Sequence, residues 1–441
     1  MLPKTFHLRL MMILALGGML LWCFGLAPAD ARAGTIQPSD LVYLGAFRLP
    51  EGSNGTDWTY GGNALTYYPQ GDPDGSSDGY PGSLFGTGND GQLYVSEISI
   101  PAPVVSAGKN LDDLNTATTL QPFTDIFSGL FGYIEQPRLG LCYLPAQSGQ
   151  SSGKIHFCFG LHLQDTGFDA SHGWFNTDLS NPETAGAWVF GGYTGYVTND
   201  YMCEIPAEWA DAHTPGQYLA TGRAREGPWS GYGPGLFAYA PWNDGSPPAP
   251  GTTLTSMTTL MLYGTQVAGV PELALDGVSQ IPNYSDSDRW RACAWLTAGD
   301  DAAVVFAGTK ALGNSWYGFA DGTVWDHECA ETNSCPEVPD WPYDNRGFWA
   351  EDFQAQLIFF NPDDLAAVAS GAAATWSPMP YAVMDLSPYF FDPYYTVDDL
   401  INYKRDFVGA ITYDRERRLL YVLELIVDDS KPIVHVFRVG S

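Results

Sequence analysis

Positive charge is the scarcest thing in this chain. Lysine and arginine together number 20 among 441 residues, against 50 aspartates and glutamates, and past residue 33 the only lysines are Lys109, Lys154, Lys310, Lys404 and Lys431. A surface this acidic repels nucleic acid and anionic lipid, so neither is an expected partner. Charged residues of both signs reach only 16%, too few for a coiled coil or for a disordered chain. Signature motifs are missing too. There is no Cys-x-x-Cys pair, no zinc-type spacing, no Gly-x-Ser-x-Gly between a strand and a helix, and no phosphate-cradling or dinucleotide-binding glycine loop. What is present favours strands. The chain is 45% hydrophobic and 14% aromatic with 49 Gly and 32 Pro, a mixture that suits short strands and tight turns better than long helices. An all-β fold is expected.

The one long apolar run lies at the start. Lys4 and Arg9 precede it, it covers positions 11–27, and Ala31-Arg32-Ala33 supplies a small-x-small cleavage pattern. Residues 1–33 therefore read as a signal peptide cleaved after Ala33, and residues 34–441 as one exported domain, secreted or periplasmic, with no stable membrane insertion afterwards. An uncleaved anchor is the rival reading, since the run approaches the length of a membrane span. Cys23 does not read as a lipid attachment site, because Trp22 stands where a small residue is wanted. Loss of this segment removes Lys4, Arg9, Arg32 and Asp30 and makes a chain of formal charge −30 more acidic still.

Six cysteines follow the leader, an even number that permits disulfides in an exported protein. Cys329 and Cys335 flank a short polar loop and are the expected pair. Cys142 and Cys158 lie in apparent strands, either as neighbours or as buried thiols, and Cys203 and Cys293 are unassigned.

One theme recurs along the chain: a small residue, an alternating apolar strand, a turn with Pro or Asp, and a second strand. Gly62-Asn63-Ala64-Leu65-Thr66-Tyr67-Tyr68-Pro69, Gly140-Leu141-Cys142-Tyr143-Leu144-Pro145 and Gly409-Ala410-Ile411-Thr412-Tyr413-Asp414 are examples. Other strands end in a proline-capped turn and lead into short helices after Pro206 and Pro362. Degenerate strand-turn-strand units over some 400 residues predict a β-propeller, here of about six blades, with five to seven allowed. A strand over 42–49 is expected to complete the blade made by 407–439 and so close the ring. The Asp57-Trp58-Thr59-Tyr60-Gly61-Gly62-Asn63 opening and the closing blade at 409–424 resemble those of secreted bacterial β-propellers of no known activity. No Trp-Asp repeat, kelch double glycine or Asp-box occurs, so the resemblance implies a fold and carries no catalytic residues.

Propellers take ligands at a channel mouth, where polar residues beside the inner strands converge. Three groups stand out. The first is Gly160-Leu161-His162-Leu163-Gln164-Asp165 with Ser171-His172-Gly173-Trp174, a cluster of potential base and stacking residues that also reads as an ordinary loop. The second is Lys310, a rare cation after an apolar strand, beside Trp316 and Tyr317, which offer faces for a sugar or fill an inter-blade core. The third is Arg138 and Arg405, each just before or at an inner strand, facing one mouth to grip a carboxylate or phosphate, or else pairing with local acids.

Asp72, Asp74 and Asp78 form a partial calcium loop lacking the closing Glu, with a similar acidic turn at 283–288; Ca²⁺ is the only cofactor suggested. The expected function is binding of an extracellular glycan or other small molecule at the mouth through Trp174, Trp316, Tyr317, Gln164 and Arg405. The alternatives are a polysaccharide hydrolase or lyase using His162 or His172 as base with Lys310 or Arg138 neutralising charge, and a structural or protein-binding propeller.

Overall fold

The computed structural model describes residues 34–72, 75, 79–132, 137–162, 169–264, 279–326, 328–392 and 404–440. The leader, Gln164, Asp74 and Asp78 lie outside the described residues. Within them no helix is long and apolar enough to cross a membrane.

The chain is all-β, arranged as a five-bladed propeller. Blade 1 comprises Leu65–Tyr68, Ser83–Thr87, Val95–Ser99 and Thr119–Thr124. Blade 2 comprises Arg138–Leu144, Lys154–Gly160, Ala170–Phe175 and Ala185–Phe190, widened by the parallel edge strand Thr253–Leu254. Blade 3 comprises Tyr201–Glu204, Leu219–Gly222, Leu236–Tyr239 and Met257–Met261. Blade 4 comprises Arg289–Ala298, Asp301–Gly318, Gly347–Phe360 and Ala382–Asp385. Blade 5 comprises Val408–Asp414, Leu419–Asp428, Lys431–Val439 and the first strand, Leu41–Arg48, which runs antiparallel to the last with Leu41 opposite Val439 and Arg48 opposite Ile433.

The inner strands, named first for blades 1 to 5, contact one another in turn, and the fifth also meets the first. Their approach is close. A Cβ on Gly140 would stand 2.5 Å from the backbone nitrogen of Met202 on the next inner strand, so only glycine fits there. Threonines bridge neighbouring inner strands: Thr66 Oγ1 accepts from Tyr143 N at 2.8 Å and Thr412 Oγ1 from Tyr67 N at 3.0 Å. The apolar core lies between blades. Phe85 and Val95 of blade 1 pack with Leu141 and Phe157 of blade 2, while Tyr201 and Leu236 of blade 3 pack with Trp295 and Phe306 of blade 4.

Two features blur the repeat. Asp301–Gly318 and Gly347–Phe360 extend far past their partners as an 18-residue and a 14-residue strand, and the link between them carries the Cys329–Cys335 disulfide. This overhanging hairpin lengthens blade 4 without adding a blade. The other four described cysteines are buried free thiols.

First and last strands are tied by a buried polar network. Glu424, fully buried in blade 5, accepts from His435 Nε2 at 2.8 Å and from the backbone nitrogens of Phe391 and Asp392 at 2.8 and 2.7 Å. Tyr43 of the first strand meets His435 Nδ1 at 3.0 Å. Removing the carboxylate leaves three donors without a partner in a dry site. Glu424→Ala is therefore expected to cost about 3 kcal/mol or more in denaturant unfolding, and Tyr43→Phe about 1 kcal/mol; a loss under about 1 kcal/mol for Glu424→Ala contradicts this role.

Candidate functional site

All five inner strands begin at one end of the channel, and there a cavity of about 540 Å³ opens, a size suited to a small ligand. Its wall is built from strand starts and the loops before them. Arg138 opens the inner strand of blade 2, Arg289 and Arg291 that of blade 4, Arg225 follows the second strand of blade 3, and Arg405 and Asp406 precede the inner strand of blade 5. Five guanidinium groups thus meet in a chain with only 20 basic residues.

Three cavity carboxylates, Asp406, Glu226 and Asp90, offset part of this charge. Asp406 lies 3.3 Å from both Arg138 Nη2 and Arg291 Nε and accepts from Arg289 Nη1. Burial pushes its carboxyl up, but Arg289, Arg291 and Arg138 outweigh that and hold it at about 2. Glu226 receives Arg289 Nη2 at 2.8 Å and lies 3.5 Å from His162 Nε2; burial is again outweighed, chiefly by Arg289, and its carboxyl sits well below the usual range. Beneath the cavity, Asp200 receives Arg225 through both oxygens at 2.8 and 2.9 Å.

Asp90 differs. It stands in the turn after the second strand of blade 1, accepts from the Asn63 side chain, and is pushed up by burial to about 7 against the pull of Arg291 and Arg138. Arg138 is desolvated as well, and burial together with Arg291 brings it down to about 9, still a cation at neutral pH. Its Nη1 atom is buried with no hydrogen-bond partner.

The rim is aromatic. Tyr60, Trp229 and Trp341 are the exposed aromatic side chains among the described residues, at 41%, 48% and 65%. Tyr60 and Trp341 line the cavity itself. Trp229 lines a side pocket of about 300 Å³ with Tyr317, Phe348 and Arg346, and this pocket shares His162, Arg225, Glu226, Asn345 and Arg405 with the main cavity. The 57–63 segment builds one lip: Trp58 is buried, Tyr60 and Asn63 face the cavity, and Gly62 adopts φ +96°, a conformation that favours glycine.

The structure brings together some of the residues singled out in the sequence and separates others. His162, Arg138 and Arg405 line the cavity and Tyr317 its side pocket; Arg138 both faces the mouth and pairs with Asp406. His172 does not reach it. It lies in a strand, not a loop, buried between Ser171 Oγ at 2.9 Å and Thr221 Oγ1 at 3.0 Å, and desolvation lowers it to about 3, so it is neutral.

Trp174 is buried edge-on against Trp188 at 5.1 Å, and Trp316 donates to Phe319 O at 2.9 Å on the overhanging hairpin. Lys310 is held by both oxygens of Asp288, at 2.7 and 2.9 Å, and by Asn283 O at 2.7 Å. The acidic turn at 283–288 therefore spends Asp288 on Lys310, while its other carboxylate, Asp286, accepts from the Tyr284 hydroxyl at 2.9 Å. Of the other calcium candidates only Asp72 is described, and among the described residues no group of three His, Cys, Asp or Glu side chains is arranged to hold a metal ion.

Arg225, Arg289, Arg291, Asp90, Glu226, Asp406, Tyr60, Trp229 and Trp341 complete the site without having been singled out. The signal for two of them was Arg289-Trp290-Arg291, paired cations at a strand start in a chain short of cations. Neither protein-family models nor curated proteins yield a match to this chain.

Asp406 sets a test by acid. Its folded-state proton affinity is depressed from an ordinary 3.8 to about 2, so its stabilising contribution is present above about pH 4 and is lost as pH falls through about 2. That contribution is about 2 kcal/mol. Asp406→Asn is expected to lower stability at neutral pH and to flatten the stability curve between about pH 4 and 2. An unchanged acid-unfolding curve contradicts the assignment.

Proposed function

We propose that this mouth binds an acidic glycan, with the ligand's anionic groups against Arg138 and Arg291 and its sugar faces on the aromatic rim. The observation that carries the reading is the concentration of guanidinium groups, framed by every exposed aromatic among the described residues, in a chain of net charge −30. Arginine matches a carboxylate or sulfate bidentately. Tyrosine and tryptophan offer flat apolar area to the C–H face of a sugar while their polar ends stay wet. The two arginines differ from their neighbours. Arg225, Arg289 and Arg405 are tied to Asp200, to Glu226 and Asp406, and to Phe348 O with the Trp349 ring. Arg138 keeps an unpartnered nitrogen, and Arg291, at 12%, is more exposed than Arg138, Arg225 or Arg289.

Two broader expectations belong to the same reading. The apolar run at 11–27 and Ala31-Arg32-Ala33 support export with cleavage after Ala33, which would present this mouth to extracellular polymers. The pairing of the first and last strands supports closure of the ring by the two ends of the chain.

The test is a titration by tryptophan fluorescence with oligogalacturonate and with a neutral oligosaccharide of equal length. The acidic ligand is expected to bind and to weaken as salt rises. Arg138→Gln or Arg291→Gln each lowers its affinity about tenfold or more, and Trp229→Ala about two- to tenfold. Equal binding of the neutral ligand, with no effect of either arginine change, overturns the reading.

A further inference from the structure

We propose that the mouth holds two consecutive acidic residues of its glycan, the second in the side pocket with its anionic group against Arg346, so that the ligand is a polymer of adjacent acidic sugars. This rests on the acidic-glycan reading above and adds to it a second subsite with its own cation.

The two chambers are continuous. The main cavity of about 540 Å³ and the side pocket of about 300 Å³ share His162, Arg225, Glu226, Asn345 and Arg405, so a chain seated in one passes directly into the other. Each is large enough for a small ligand group. The side pocket also repeats the chemistry of the cavity. Trp229, Tyr317 and Phe348 give it aromatic walls, and among the described residues four guanidinium groups line it, those of Arg223, Arg225, Arg346 and Arg405, against the carboxylate of Glu226.

Three of the four are committed to structure. Arg223 donates to Ser230 Oγ at 3.2 Å and to the carbonyl oxygens of Gly195 and His162 at 3.1 and 3.2 Å. Arg225 is held by Asp200 at 2.8 Å, and Arg405 donates to Phe348 O at 3.2 Å. Arg346 differs. It is exposed, and among the described residues its side chain has no hydrogen bond or ion pair, although the chain holds 50 acidic residues that could supply one.

Stacking holds Arg346 in place. Its guanidinium carbon lies 4.4 Å from the centre of the Trp325 ring and 5.9 Å from that of Tyr317. The overhanging hairpin fixes this platform: Tyr317 stands opposite Phe348 in the ladder, edge-on at 5.0 Å, and Trp325 N donates to Tyr317 O at 2.8 Å. A stacked guanidinium keeps its N–H edge for a planar anion and loses little freedom on gripping it. A second cation on its own aromatic surface, one wall away from Arg138 and Arg291, matches a ligand that carries a second anion on the next ring. Joining the two contacts in one molecule raises affinity without any further interaction.

Galacturonic acid and its linear dimer and trimer are titrated by calorimetry into the wild-type protein, Arg346→Gln and Arg138→Gln. Affinity is expected to rise about tenfold or more from monomer to trimer. Arg346→Gln removes most of that rise, weakening the trimer about tenfold while changing the monomer less than about twofold. Arg138→Gln weakens every length. Arg346 is exposed and stacked only at the rim, so the folded state survives its replacement, which an unchanged thermal midpoint checks. Affinity independent of length overturns the second subsite, as does an Arg346→Gln protein that binds the trimer like the wild type or loses monomer and trimer equally. In each of those cases the Arg138→Gln titrations still decide the acidic-glycan reading by themselves. Failure of all three ligands to bind overturns that reading and this proposal together.

Discussion

Guanidinium groups do not gather at the end of a narrow channel unless something offsets their repulsion, and here a single carboxylate does much of that. Asp406 leads into the inner strand of blade 5 and reaches Arg138 from blade 2 and Arg289 and Arg291 from blade 4. One side chain thereby links three blades across the channel. The exchange is sharp because the site is partly dry: burial alone raises a carboxyl, and only several cations together bring it down to about 2. Glu226 and Asp200 repeat the arrangement beside and below it. The outcome is an ordered cluster in which most guanidinium groups are committed to structure, while Arg138 retains a buried nitrogen without a hydrogen-bond partner.

The two ends of the channel are chemically distinct. Where the inner strands begin, arginines face the opening. Where they end, a second cavity of about 370 Å³ is lined by Glu204, Asp414, Arg415, Glu416, Tyr67, Tyr143 and Tyr413, with Cys142, Cys203 and Cys293 among its lining residues. Burial pushes the Cys142 and Cys293 thiols well up, which leaves them protonated and inert. Among the described residues, a protein acidic overall thus gathers five guanidinium groups at one end of its channel. The proposed acidic glycan would be repelled by so acidic a surface and drawn to that mouth, a pattern that would favour selection of ligand and orientation over tight nonspecific binding.

What was legible in the sequence follows what is periodic. Alternating strands bounded by Gly, Pro and Asp identify a propeller because each inner strand must be small, apolar and close to its neighbours, as at Gly140 and Thr66. Arg138 and Arg405 were visible because each flanks such a strand. The number of blades was less so, since the long strands Asp301–Gly318 and Gly347–Phe360 repeat the local pattern without adding a blade. Asp90, Glu226, Trp229 and Trp341 sit in turns and irregular connections, where no period fixes direction and their meeting depends on how separate loops return to the channel. His172 and Trp174 show the converse. Residue type suggested chemistry, but their strand faces inward, and desolvation leaves the imidazole neutral and the indole in a core.

The overhanging hairpin that obscured the repeat also serves the mouth, because its connecting segment supplies Trp341 and Asn345 to the cavity and Arg346 to the side pocket. Electrostatics at the channel and irregular loops above it together define the site. The most direct test of this account is a crystal structure of the protein with a bound oligogalacturonate. The account predicts a ligand carboxylate within hydrogen-bonding distance of Arg138 and Arg291, with a sugar ring against Trp229 or Trp341. A ligand seated at the opposite mouth, or on a blade edge with these arginines untouched, would contradict it.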